Sequence, residues 1–307
     1  MMNETNIENS IKNNINKEKV SGKEKFRKFM FSFSVILLIG SLSVIGWYFV
    51  KQHLNEKNVD ELKTLISEEK PKTDDNGDPY LDYYLIDDVV VQRKFKDIYL
   101  KNKDFIGWLS IDDTKVDYPV VFTPDDEQFY LRKDFDKNYS IAGTLFVGAG
   151  GDTYTPTERN IIYGHHMNDG TMFGGLVQYE NEEYYKQHKY IEFDSLNRQG
   201  KYEVIAAFRT QVHTVEVGST YEGFDVYYNN CYNEDDFKEY VKNCKELTPY
   251  ETSDVSYDEK LIVLSTCAYH THNGRFVVIA KLVDDLTVDT NRKPLDVIHT
   301  NTITLED

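Results

Sequence analysis

One short stretch of this chain holds residue types that can do covalent chemistry. Residues 260–283 read KLIVLSTCAYHTHNGRFVVIAKLV, two apolar runs around a seven-residue loop. The loop contains Asn273 and Gly274, a strong turn pair. Cys267 closes the first run and Arg275 opens the second. If the runs pair as antiparallel strands, the two side chains face each other with Cβ atoms about 5 Å apart. A guanidinium there favours the thiolate form of the cysteine and can donate hydrogen bonds to a developing oxyanion. The same hairpin, taken alone, also fits a buried cysteine beside a surface arginine.

A nucleophilic thiol needs a proton partner, and the chain has eight histidines. His165 and His166 follow the strand-like run RNIIYG, where a strand end would present a side chain at a barrel rim. His270 and His272 lie in the loop after Cys267. The spacing Cys267-x2-His270-x-His272 has no matching second half, so neither a metal nor another cofactor is expected. His53, His188, His213 and His299 are scattered and read as structural or solvated.

The other two cysteines belong to the scaffold. Residues 233–247, NEDDFKEYVKNCKEL, read as a helix capped by Asn233. Three acids follow the cap, and Phe237, Tyr240, Val241 and Cys244 recur on one face. Cys244 then sits about 16 Å along the axis from the cap, too far for a disulfide to Cys231. It reads as a small core residue, and Cys231 has no evident role.

Which elements hold the hairpin and the histidines? Eight runs have the composition and alternation of strands: residues 107–111, 115–122, 143–147, 159–164, 190–195, 201–210, 260–266 and 275–283. Eight short strands with one strong helix between them predict a mainly β fold, a closed or nearly closed barrel with peripheral helices. Helices are also expected over residues 55–70 and 87–102, separated by a polar linker at 71–79. Residues 284–307 form a polar extension without a clear pattern.

The net charge of −17 argues against nucleic acid as a partner, since phosphates need a basic surface. Residues 1–28 run against that excess, with seven Lys/Arg against four Glu. Residues 29–50 follow without a charge, a span of about 33 Å as a helix, enough to cross a bilayer. The preceding basic cluster predicts a cytoplasmic N-terminus, and Trp47 and Tyr48 sit where an interfacial belt forms. No small-x-small cleavage site follows, so an uncleaved, single-pass anchor is expected, with residues 51–87 as stalk and linker outside the cell.

Several motifs together resemble one family. NIIYGHHMNDGTMFGGL is similar to the histidine region of sortases, and LSTCAYHTHNGRFVV to their cysteine–arginine hairpin. With the DFIGWLSI…VDYPVV opening and the helix ahead of the cysteine strand, the set looks like class B, over residues 88–283. The resemblance implies an eight-stranded sortase barrel. By matched position it implies Cys267 as nucleophile, His165 rather than His166 as acid/base, and Arg275 as oxyanion-stabilising residue. Tyr163, Ser265 and Thr266 fall where the family lines its substrate groove. One departure is the glycine-rich stretch at 148–152, where family members often have an Asp-Tyr-Arg-Asn-like sequence.

The resemblance further implies a transpeptidase that cleaves exported proteins after Thr in an Asn-Pro-x-Thr-like sorting signal. The acyl group is held as a thioester on Cys267 and passed to an amine, of a peptidoglycan precursor or of a pilin. A peptidase releasing product to water and an inactive surface scaffold are the rival readings.

Overall fold

The computed structural model describes residues 4–67, 70–148, 159–212, 226–227, 233–257, 259–268 and 273–300. The chain divides into two compact units, residues 1–54 and 55–307. The first helix, α1, runs from Glu4 to Lys63. Over Lys23–Lys63 it is long and apolar enough to cross a membrane by length and composition, with a mean hydropathy of 2.2 in its most apolar window.

In the second unit, eight strands close into a barrel. In chain order they are β1 (Phe105–Ser110), β2 (Asp117–Val121), β3 (Leu145–Val147), β4 (Arg159–Tyr163), β5 (Tyr190–Ser195), β6 (Arg198–Gln211), β7 (Leu261–Cys267) and β8 (Gly274–Thr287). Around the barrel the order is β6-β8-β7-β4-β3-β2-β1-β5, with β5 pairing back to β6. All pairs are antiparallel except β7 with β4 and β2 with β3.

The period-2 alternation of side chains decides what each strand faces. On β7 and β8, Ile262, Leu264, Phe276, Val278 and Ala280 join the cluster that fills the barrel. Leu261, Val263, Val277 and Ile279 point the other way, into a separate cluster under α4 (Glu234–Glu246). That helix forms as its sequence predicts. The Asn233 side chain accepts from the amides of Asp235 and Asp236, both at 3.0 Å, and Phe237, Tyr240, Val241 and Cys244 are buried. Each of its large apolar side chains contributes about 1.5–3 kcal/mol by leaving water. Cys244 is a buried thiol in this cluster, in no disulfide. Cys231 lies outside the described residues.

Three local expectations are corrected. The helix expected over 87–102 begins only at Lys96, as α2 (Lys96–Lys101), after a 3-10 turn at Arg93–Phe95. The strands Tyr83–Ile86 and Val89–Gln92 pair antiparallel ahead of it. Asp87 and Asp88 between them take φ of 48° and 66°, the left-handed geometry of a two-residue hairpin turn. Three consecutive valines, Val89 to Val91, favour the strand over the helix. The helix expected over 55–70 stops at Lys63. Within the linker at 71–79, Lys72–Thr73 pairs with Pro79–Tyr80, and the Asp74 carboxylate accepts from the amides of Asn76 and Asp78 in the turn.

The C-terminal extension also acquires structure. Val297–Ile298 pairs in parallel with Leu85 and Ile86, making a third strand on the Tyr83–Gln92 hairpin. The amide and hydroxyl of Thr300 donate to the Asp87 carboxylate, as does Lys103 Nζ. The Thr300 hydroxyl, with Lys103 beside it, holds that carboxyl well below the usual carboxylate range.

Candidate active site

The cysteine–arginine hairpin forms with the register read from the sequence. Cys267 and Arg275 are direct antiparallel partners of β7 and β8, with Thr266 opposite Phe276 and Ser265 opposite Val277. Alternation puts Cys267 and Arg275 on the outer face, continuing the Val263 and Val277 side. Asn273 takes φ of 54° at the loop end, and Ala268 N donates to Gly274 O at 2.9 Å to close the mouth. On the far side of β8, Arg275 pairs with Thr210. Its Nη1 donates to the Gly274 carbonyl at 3.0 Å. Cys267 is a half-buried free thiol.

The histidines arrive from β4. This strand runs parallel to β7 with Tyr163 opposite Ser265, and Gly164 N donates to Ser265 O at 3.1 Å. Strand β4 ends at Tyr163, and His165 follows two residues later, as Cys267 follows Ser265 on β7. Gly164 is what lets the chain pass at this point. A Cβ there would lie 2.5 Å from Leu145 Cδ2 and 2.6 Å from Phe173 Cδ2. Beyond it the chain turns back on itself. Phe173 N donates to His165 O at 3.0 Å, and His166 bridges to Met172.

The His165 ring is held by its Nε2, 2.7 Å from the Leu131 carbonyl. A carbonyl only accepts, so in the neutral ring Nε2 carries the hydrogen and Nδ1 does not. Burial pushes the imidazole below its usual 6.5; the Leu131 carbonyl opposes that shift and the Arg132 charge adds to it. His166 hydrogen-bonds the main chain of Cys267 and is likewise lowered, mainly by burial and also by Arg209. His166 therefore touches the cysteine through its backbone, while the ring of His165 is fixed to the Leu131 carbonyl.

The residues expected to line the groove separate by face. Tyr163 lies in an aromatic stack, 5.5 Å from Phe146 and 6.3 Å from Tyr227. The Tyr227 hydroxyl is 2.8 Å from Ser265 Oγ, and Ser265 is only 1% exposed. Thr266 points into the barrel, 2% exposed, and its hydroxyl has no partner among the described residues. Sequence reasoning missed Tyr227 and Leu131. Tyr227 sits in no periodic run, and Leu131 acts through its carbonyl, which carries no side-chain signal. His270 and His272 lie outside the described residues, as do positions 149–158 of the glycine-rich segment and beyond. Among the described residues no group of His, Cys, Asp and Glu could hold a metal ion.

A thiol, an arginine and an imidazole lie near the loop end of the β7–β8 hairpin and the end of β4. Residues 109–283, more than half of the chain, match the model of the sortase domain. The chain belongs to the sortase family. Two sortase B proteins are similar over long spans. That of Staphylococcus aureus is 29% identical over 63% of this chain and 76% of its own length. That of Listeria monocytogenes is 26% identical over 84% of this chain and 99% of its own. A crystal structure of sortase B from Bacillus anthracis shares the fold, with a TM-score of 0.60 over 77% of this chain and 99% of that one, at 24% identity. The chain is thus a class B sortase, a cysteine transpeptidase with the closed eight-stranded barrel of that class.

Proposed function

We propose that this class B sortase uses Cys267 as nucleophile, His165 as acid/base and Arg275 as oxyanion donor. The Cys267 thiolate attacks the threonine carbonyl of a sorting signal, and Arg275 donates hydrogen bonds to the tetrahedral oxyanion. The C–N bond breaks as imidazolium His165 gives its Nδ1 proton to the leaving amine, and a thioester remains on Cys267. The neutral imidazole then takes a proton from the incoming amine, which attacks the thioester and releases the thiolate. The signal is of the Asn-Pro-x-Thr type and the acceptor an amine of the cell wall or of a pilin. Residues 29–50 anchor the enzyme, with 1–28 in the cytoplasm and the barrel outside. Tethering enzyme and exported substrate to one membrane raises their effective concentration.

The observation that supports this reading is the cross-strand pairing of Cys267 with Arg275 on the outer face of the hairpin, with the strand that leads to His165 alongside and Tyr163 opposite Ser265. The test uses the full chain in detergent micelles, with Asn-Pro-x-Thr peptides and a panel of amines, followed by mass spectrometry. The expected species is an acyl adduct on Cys267 that decays to amide when amine is present. Adduct formation that survives Cys267→Ala, or release only to water with every amine, would overturn it.

A further inference from the structure

His165 is held by two supports, and both rest on the same neighbour. The ring is fixed by the Leu131 carbonyl, within the 3-10 turn Phe129–Arg132. That turn is clamped by the segment that follows it. Ser140 N donates to Arg132 O at 3.0 Å, Arg132 Nη1 to Ile141 O at 2.8 Å, and Thr144 N to Tyr130 O at 3.2 Å. The backbone of His165 is fixed by Phe173 N, and the adjacent Met172 N donates to the Tyr118 hydroxyl at 3.1 Å.

The neighbour is the end of α1, residues 55–63. Asn55 Oδ1 accepts from Ser140 Oγ at 3.2 Å, and Ser140 is the residue that clamps Arg132. Val59 packs against both apolar clusters of this side, the barrel core holding Met172 and the one holding Tyr130 and Phe135. Leu62 is 3% exposed in the second of these. Lys63 Nζ ends the contact 2.8 Å from Asp117, whose carboxylate also accepts from Trp108 Nε1 at 2.5 Å. Asn55, Val59 and Leu62 wall one side of a small pocket; Phe135, Tyr118 and Met172 wall the other. A stalk would need none of these contacts.

We infer that residues 55–63 form a positioning element for His165, seating both the 131–144 segment that fixes its ring and the Tyr118–Met172 contact that fixes its backbone. The inference rests on His165 being the acid/base group. The Nε2–H tautomer depends on Leu131 staying within hydrogen-bond reach, and so on the seat. Misplacement of a catalytic group by about 1 Å can cost on the order of a hundredfold in rate.

The test compares Asn55→Ala, Ser140→Ala, their double variant and Leu62→Ala with Glu61→Ala, an exposed position on the same helix. All are made in the full chain. Readouts are kcat and KM for peptide acylation, and the imidazole nitrogen spectrum of His165. We expect kcat to fall about three- to tenfold in the single polar variants, less than multiplicatively in the double, with KM unchanged. The His165 spectrum should move from one tautomer to exchange between two, while Glu61→Ala changes neither. Leu62→Ala should show the larger effect if it folds, and the polar variants decide the question if it does not. His165→Ala is the separate control. If it is dead while the seat variants keep kcat within twofold and an unchanged tautomer, the positioning role is refuted and the acid/base reading stands. If His165→Ala is active, the acid/base reading itself fails.

Discussion

Cys267 and Arg275 are cross-strand partners at the mouth of the β7–β8 hairpin, on one face and one residue pair from the loop. Charge alone and directed hydrogen bonding make different demands on that arginine. A lysine keeps the charge but cannot reproduce the planar fork. Arg275→Lys should therefore lose acylation on the order of a hundredfold, and Arg275→Ala more, with both folded by circular dichroism. Alkylation of Cys267 by a small neutral reagent separates the causes. Near-normal alkylation with slow acylation supports the oxyanion role, and a parallel fall in both would shift it to the thiolate.

The two described thiols should behave in opposite ways. Cys267→Ala should abolish acyl transfer with stability close to the parent. Cys244→Ala should keep transfer and lower stability by about 1 kcal/mol, because it empties volume in the α4 seat. Urea titration alongside a turnover assay reads both. A Cys244→Ala protein without turnover but with native stability would contradict the division.

His165 starts below the usual 6.5 through burial, with the Arg132 charge adding to the shift. Its imidazolium fraction therefore disappears as pH rises through that lowered value. The descending limb of acylation set by this group should lie below pH 6.5. Removing the Arg132 charge raises the imidazole pKa, so Arg132→Gln should move the limb to higher pH. A shift to lower pH would mean that Arg132 acts only through its bond to Ile141. Linkage has the same sign for both histidines. The folded state binds fewer protons than the unfolded one, so stability should fall as pH drops from 6.5 through the lowered values.

Ser265 and Tyr227 satisfy each other in a buried place. Tyr227→Phe leaves the serine hydroxyl unpaired and should cost about 1–3 kcal/mol. Adding Ser265→Ala removes the orphan, so the double variant should cost less than the sum of the singles. Additive costs in thermal melts would mean that the pair does not couple.

Topology has its own check. Protease added to intact protoplasts should degrade the chain from about residue 51 onward and spare the apolar span and basic tail. A fully protected barrel would reverse the proposed orientation.

The eight barrel strands are legible in the sequence because half-buried and fully buried strands write their faces as alternation or as β-branched runs. The register at Cys267 is legible because Cys267 ends one apolar run and Arg275 begins the next. The helix at Glu234–Glu246 carries cap, charge and stripe together, so nothing competes with that reading. The first half of the expected 87–102 helix fails for a specific reason. Val91 and Phe95 are both buried, at a spacing that fits a helix, yet Val91 gets there from a strand. Apolar period alone does not separate these over so short a run. The choice of His165 over His166 comes from the resemblance of Tyr163-Gly164-His165 to the family's histidine motif. Its tautomer does not, because the group that sets it is the carbonyl of a residue 34 positions away.

The short strand Val297–Ile298 has a practical consequence. It covers the outer side of Tyr83–Ile86, a run of two tyrosines, a leucine and an isoleucine. A chain cut at residue 283, where the family match ends, would strip that cover. It would leave a bare sheet edge with unpaired amides and carbonyls, a template for joining another copy. Trimming the tail to aid solubility should therefore do the reverse and favour self-association.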